Sequence, residues 1–391
     1  MRRRLPGRRR GGRPPLPAGF ATIWTTVALD LVGFGIILPV LPLYAERFGA
    51  SPTTVGLLLA SFSIAQLLFA PVWGSVSDRI GRKPVLVLSL VGTAVGSLVT
   101  GLAGSLPLLF LGRVIDGMSG ASVSVAQASV ADLAPPQERA RLFGLLGAAF
   151  GVGFVAGPAL GALAALGGPR LPFLVAAGVA GVNAVAALRR LPETHVDRRA
   201  PADPAPPPLD RPPAPAGLTR LLLIAFASLV AFSAFEATFA LFGERRLSFG
   251  PASTGVVFTA VGLVLVAVQT TLVRPTVARL GESATLRAAL VVNAVGLALL
   301  AAVHSWFLLV PALLALVVGQ GLAQPSLTSV VSGRARAGQR GRALGIQQSA
   351  GGLARVVGPI AGGLAFEHVG TGFPFLAGAL VMGLCAVAVH Q

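Results

Sequence analysis

The sequence predicts an all-α membrane protein of twelve transmembrane helices in two six-helix halves. Three observations predict it: apolar residues dominate, they recur in stretches of one bilayer thickness, and the basic residues alternate between connections. Of the 391 residues 54% are apolar and 12% charged, with a mean hydropathy of +0.79, a composition that a water-soluble globule does not carry. A bilayer core of about 30 Å takes about 20 apolar residues per helix. Such stretches fall at 20–44, 54–77, 84–103, 106–129, 141–165 and 172–190, and again at 219–242, 251–274, 283–303, 306–330, 341–365 and 372–390. A closed β-barrel would need strands of about ten residues alternating apolar and polar, and the chain has no such alternation. The 49 glycines and 30 prolines suit lipid-embedded helices, where small residues allow close approach and neighbours support a kink.

The net charge of +17 would point to nucleic acid in a soluble protein, and the placement of the basic residues removes that reading. Twenty-five of the 31 lie in the N-terminal tail and the even-numbered connections: Arg2 to Arg13, Arg79 to Lys83, Arg139 and Arg141, Arg189 to Arg220, Arg274 to Arg287, and Arg334 to Arg342. Only Arg47, Arg170, Arg245 and Arg246 occupy the odd-numbered ones. The positive-inside rule then puts both termini in the cytoplasm of a multi-pass inner-membrane protein. The leading run MRRRLPGRRRGGR reads as a topogenic tail with affinity for anionic lipid. A secretory signal is disfavoured, because the apolar stretch behind it is long and contains Asp30.

The single cysteine, Cys385, lies in the last apolar stretch, and His195, His304, His368 and His390 are scattered. Neither a disulfide framework nor a metal site is expected, and no cofactor is implied. There is no GxxxxGK[ST] loop, which argues against ATP as the energy source.

A proline-rich segment, APADPAPPPLDRPPAPAG, separates the two sets of spans. It divides the chain into an arginine-rich tail (1–19), a first bundle (20–190), a linker (191–218) and a second bundle (219–391). The halves are similar. Residues 139–164, RARLFGLLGAAFGVGFVAGPALGALA, align without a gap on 340–365, RGRALGIQQSAGGLARVVGPIAGGLA, pairing Arg139 with Arg340, Gly157 with Gly358 and Pro158 with Pro359. DRIGR from Asp78 likewise pairs with ARLGE from Ala278. Two parallel repeats imply a site at mid-depth between them, reached by rocking one half on the other.

Three stretches carry more specific information. The loop GSVSDRIGRKP, from Gly74 to Pro84, contains Gly74, Asp78, Arg79, Gly81, Arg82 and Lys83 at a characteristic spacing. The fifth span holds GAAFGVGFVAGPALG, with Gly147, Gly151, Gly153, Gly157, Pro158 and Gly161. The first and fourth hold LDLVGFGIILPVLP and LGRVIDGMSGAS. Together they resemble the major facilitator superfamily, and within it the twelve-helix drug:proton antiporters, tetracycline exporters above all. The resemblance covers nearly the whole chain and is loosest between about 245 and 320.

What the resemblance implies is a major facilitator fold and proton-coupled export. Its loop motif implies a cytoplasmic latch in which Asp78 faces the N-terminus of the eleventh helix when the carrier is open outward. In the second half Ala278 stands in place of Asp78, so a second latch is expected to be weaker. The glycine and proline pattern of the fifth span implies antiport. Packing alone also explains it, since glycines four apart make a smooth helix face and Pro158 bends the helix.

Five ionisable residues lie at membrane depth: Asp30, Arg113, Asp116, Glu236 and Arg355. Each costs about 2.5 to 3.5 kcal/mol to insert, so they are the candidate proton-coupling and substrate residues. Arg113 and Asp116, three apart on one helix, can neutralise each other. The resemblance favours Arg113 as a proton-relay residue. Asp30 has no basic neighbour in sequence and is expected to couple or recognise substrate. Glu236 sits among Phe232, Phe235, Phe239 and Phe242, a setting that suits lipophilic cations if the rings form a pocket, although an aromatic stripe equally serves packing. The partners expected are a small-molecule substrate, protons and the lipid bilayer, the working unit a monomer. A metabolite or sugar carrier of the same fold and a non-transporting membrane sensor remain alternatives, and a membrane-embedded enzyme is disfavoured because no catalytic constellation lies at membrane depth.

Overall fold

In the computed structural model, which describes residues 16–194, 216–335 and 339–389, all regular structure among the described residues is helical. Most of the arginine-rich tail and most of the proline-rich linker lie outside these residues. The first half contains α1 (Phe20–Ile37), α2 (Leu41–Glu46), α3 (Pro52–Ile80), α4 (Arg82–Leu102), α5 (Leu106–Ser119), α6 (Ser122–Leu133), α7 (Pro136–Ala165) and α8 (Leu171–Arg190). The second contains α9 (Ala216–Leu247), α10 (Pro251–Ala267), a π-helical turn (Val268–Leu272), α11 (Val273–Leu280), α12 (Glu282–Ala301), α13 (Trp306–Arg334), α14 (Arg340–His368) and α15 (Phe373–Ala388). Joined across their interruptions, eleven of these are long and apolar enough to cross a bilayer. The twelfth, α15, has 16 residues, about 24 Å of rise.

Helix starts follow local chemistry. Proline stands at N1 or N2 of α3, α5, α7, α8, α10 and α15, where its missing N–H is no loss. Ser51 also caps α3, its Oγ accepting from Thr54 N at 3.3 Å. The paired loops of the two halves share one device. Gly81 (φ 101°) joins α3 to α4 and Gly281 (φ 79°) joins α11 to α12, a one-residue corner in the left-handed region that glycine enters without strain.

Three spans expected as continuous helices are interrupted. The first breaks over Leu38–Val40, between α1 and α2, where Pro39 supplies no N–H. The fourth breaks at Gly120–Ala121, between α5 and α6. The eighth continues through the π turn, a local widening that hydropathy does not report.

Within the first half α1 packs on α7 and α8, α4 on α5 and α8, and α3 on α5; within the second α9 packs on α14 and α15, and α12 on α13 and α15. The halves meet through α3 with α14 and α7 with α10. These contacts are concentrated at the arginine-poor end. There a side chain at Gly56 would collide with the Pro359 carbonyl, one at Gly363 with that of Pro52, and a Cβ at Gly255 would lie 2.8 Å from the Ala162 methyl. Midway, Gly151 meets Val266 and Gly352 meets Leu67. Toward the arginine-rich end Gly144 and Gly147 on α7, and Gly341 and Gly345 on α14, face open space. Among the described residues, the close approaches between the halves at glycines thus lie at the arginine-poor end and midway, and none lies at Gly144, Gly147, Gly341 or Gly345.

Candidate transport site

The first bundle gathers three of the five ionisable candidates. Arg113 and Asp116, one turn apart on α5, form a 2.7 Å ion pair with side chains 3% and 7% exposed. Asp116 also accepts from Thr93 of α4. The Arg113 guanidinium lies 4.4 Å above the Phe62 ring of α3, a cation–π contact made where water does not compete. Asp30 of α1 accepts a hydrogen bond from the Ser122 hydroxyl, at the first turn of α6. Asp30 also lies within electrostatic reach of Asp116.

The fifth-span glycines position this cluster. A Cβ at Gly153 would lie 2.7 Å from Leu31 Cβ, the residue after Asp30, and one at Gly157 2.6 Å from Gly35 Cα. Gly161 meets the Ile36 carbonyl at 2.8 Å. Only because these positions lack side chains does α7 seat α1, and with it Asp30, at this depth. Gly151 points instead across the interface at Val266 of α10, and Gly147 into open space. Pro158 lies inside α7, its carbonyl beside Gly255.

Glu236 and Arg355, from α9 and α14, are within electrostatic reach of each other in the second bundle. Glu236 is half-buried and Arg355 exposed. The aromatic surroundings differ from a ligand pocket. Phe235, Phe239 and Phe242 are almost fully buried and stack on Phe249, Phe258 and Phe375. Their 4-3 spacing turns them toward α10 and α15, while Glu236, about 100° round the helix from Phe235, faces elsewhere. Phe232 is the one of the four left half-buried.

The loop motif is knitted within its own half. Arg82 pairs with Asp78 at 2.6 Å and with Asp132 at 3.0 Å, and donates to Ser77 Oγ at 2.6 Å. The Arg82 and Lys83 backbone N–H groups donate to Glu193 at 2.9 and 3.2 Å, a carboxylate on the N-terminus of α4 where the helix dipole favours it. Asp78 remains 62% exposed, and Gly74 has open space before it. Among the described residues Asp78 is paired with Arg82 of its own half and not with α14, where the resemblance had implied a latch.

Sequence reasoning missed Ser122, Thr93 and a group at the arginine-poor end. There Arg245 of α9 reaches Glu46 of α2 at 3.5 Å and stacks over Phe366 of α14 at 4.9 Å, while Thr53 N donates to Glu367 at 2.9 Å. Glu46 also hydrogen-bonds the Glu244 carboxyl. Burial, then Glu244, pushes Glu46 up to about 7, with Arg245 opposing. Ser122 falls inside the LGRVIDGMSGAS stretch and was legible as a polar residue at depth. The Glu46 group joins residues about 200 positions apart and left no local signal.

Comparison with known proteins gives a consistent picture. A family model described as Major Facilitator Superfamily matches residues 23–275 and 221–390. The class D tetracycline resistance protein of Salmonella ordonez is 33% identical over 387 residues, 94% of this chain and 95% of that protein. Multidrug resistance protein 2 of Bacillus subtilis is 29% identical over 93% of this chain and 92% of its own length. Among solved structures, the human organic anion transporter MFSD10 (TETRAN) superposes with a TM-score of 0.70 at 27% identity, covering 95% of this chain and 98% of that one. The nucleoside transporter NupG, with a TM-score of 0.72 at 16% identity over 95% of this chain and 98% of its own, shares the fold.

Proposed function

The chain belongs to the major facilitator superfamily, and from that premise we propose that it exports drug-like or lipophilic compounds in exchange for protons, by alternating access. The observation that carries this reading is the charged cluster of the first bundle, in which Asp30 is bound to Ser122 and senses the Arg113–Asp116 pair. Charges at this depth are expensive unless they do something. The relatives named for tetracycline and multidrug resistance support the substrate class.

Exchange follows if Asp30 cannot both hold a proton and satisfy a substrate. Facing the cytoplasm it releases the proton and binds substrate; facing outward it is reprotonated and lets the substrate go. Arg113 supplies the compensating charge for the relay, and Glu236 with Arg355 lines the opposite half. The arginine-rich end is cytoplasmic by the positive-inside rule, and the tight approaches of the two halves at the opposite end support an inward-facing state. The protein works as a monomer in the inner membrane, with both termini cytoplasmic. No covalent chemistry, metal or ATP enters the cycle.

The experiment is drug-dependent proton movement. Inverted vesicles with an imposed acid-inside gradient receive tetracycline and then lipophilic cations, for wild type and Asp30→Asn. Collapse of the gradient in the wild type alone establishes coupled export through Asp30. If no compound perturbs the gradient in correctly inserted protein, the substrate assignment fails.

A further inference from the structure

The break in the fourth span is held open by side chains from other helices. Between α5 and α6 the chain leaves helical geometry at Gly120 (ψ 48°), and carbonyls that a continuous helix would satisfy are freed at membrane depth. Each finds a donor. Trp73 Nε1 of α3 donates to the Met118 carbonyl at 2.6 Å, and Gln66 Nε2 of α3 to that of Gly120 at 2.9 Å. Ser89 Oγ of α4 donates to the Ser119 carbonyl and accepts from Ala121 N at 3.3 Å. Across the break, Asp116 and Arg113 lie on the α5 side, and Ser122, bound to Asp30, on the α6 side.

We propose that this interruption is the joint through which the charge on Asp30 moves the fourth span, with Gln66, Trp73 and Ser89 as positioning residues that hold it broken. The inference rests on Asp30 being the coupling carboxylate. Two arrangements compete for the same backbone. In the observed one, three side chains add to the backbone bonds left at the break and the Asp30 carboxylate holds Ser122 at the positive end of α6. In the other, α5 and α6 join into one helix that satisfies its own carbonyls, the form that hydropathy alone predicts. Unsatisfied backbone groups are costly in lipid, so intermediates between the two are disfavoured and the element is bistable. Neutralising Asp30 weakens its hold on Ser122 and shifts the balance toward the continuous helix. Gly120 is part of the device. A Cβ there would lie 2.7 Å from Gln66 Nε2, so a side chain would dislodge the clamp.

The test reads the joint directly. Spin labels at Gln127→Cys in α6 and Leu88→Cys in α4, both exposed, in a Cys385→Ser background, report their separation in reconstituted protein at pH 6 and pH 8. Two distance populations are expected in wild type, the low-pH one growing as Asp30 takes up its proton; Asp30→Asn shows the low-pH ratio at both values. Gln66→Met keeps the bulk, Trp73→Phe keeps an aromatic ring, and each loses the donor. Each is expected to move the ratio toward the low-pH form by about fivefold, the worth of one hydrogen bond, and to lower kcat for drug exchange while leaving KM. Ser122→Ala is expected to lose the pH response and Ser122→Thr to keep it. If Gln66→Met and Trp73→Phe leave distances and kcat as in wild type while Asp30→Asn still abolishes coupling, the joint is refuted and the Asp30 reading stands. If Asp30→Asn couples as wild type does, that reading falls and takes this inference with it.

Discussion

The Arg113 guanidinium and the Asp116 carboxylate are held 2.7 Å apart in a setting closed to water, and each is the other's principal compensation. Breaking such a pair leaves one uncompensated charge, at a cost of about 3 to 5 kcal/mol. Arg113→Leu is therefore expected to unfold well before wild type in detergent. Arg113→Leu with Asp116→Leu recovers most of that loss, because the pair is removed whole. Thermal unfolding of the three proteins is the measurement, and a single variant as stable as the double one contradicts the pairing argument. The same double variant is expected to lose proton-coupled transport while folding.

Glu46 is expected to make closure of the arginine-poor end depend on pH. Its carboxyl, facing Glu244 and Arg245, is raised from 4.5 to about 7 in the closed form. If opening returns it to water, the closed form binds more protons between those values. Closure is then strongest below about pH 4.5, weakens through pH 7 and levels off above it. Spin labels at Arg47→Cys and Phe307→Cys, on opposite halves, are expected to separate as pH rises from 5 to 8. Glu46→Gln should remain close at both, and an unchanged pH response in that variant counts against Glu46 as the sensor.

Gly56 sets how tightly α3 and α14 meet, since any side chain there strikes the Pro359 carbonyl. Overpacking of this kind costs about 1 to 3 kcal/mol, and here only the closed form bears it. Gly56→Val is expected to shift the population toward opening at the arginine-poor end, read by the same pair of labels. A closed distance equal to that of wild type rules out the contact as a determinant.

Glu236 shares its charge with Arg355. Removing the carboxylate by Glu236→Gln is expected to weaken a lipophilic cation by about tenfold, near 1.4 kcal/mol. Arg355→Gln frees the carboxylate and is expected to tighten the same ligand. Equilibrium binding of a fluorescent cation distinguishes these, and equal effects of the two substitutions would remove Glu236 from the recognition site.

Much of the architecture was legible in the sequence because bilayer solvation imposes a one-dimensional rule. Lipid demands about 20 apolar residues per crossing whatever the neighbours do, so the positions of the spans, the alternation of arginines and the repeat of Arg139–Ala164 in Arg340–Ala365 could be read without a structure. Charges at depth were equally visible, because lipid makes them rare. Their groupings were only half visible. Arg113 and Asp116 meet because three residues of helix bring them together, a local fact. Asp30 with Ser122, and Glu46 with Arg245, meet because of how helices far apart in sequence pack.

The sequence by itself determined which segments enter the membrane and which charges go with them, because transfer from water to lipid is decided residue by residue. The tertiary structure decided where helices stop being helices and what replaces them. At Gly120 the fourth span breaks where Gln66, Trp73 and Ser89 stand ready to bond its backbone, and Phe235, Phe239 and Phe242 serve the core instead of Glu236 because α10 and α15 are there to receive them. Hydropathy sums what each residue loses to lipid; a hydrogen bond or a ring contact exists only when a second helix supplies the partner.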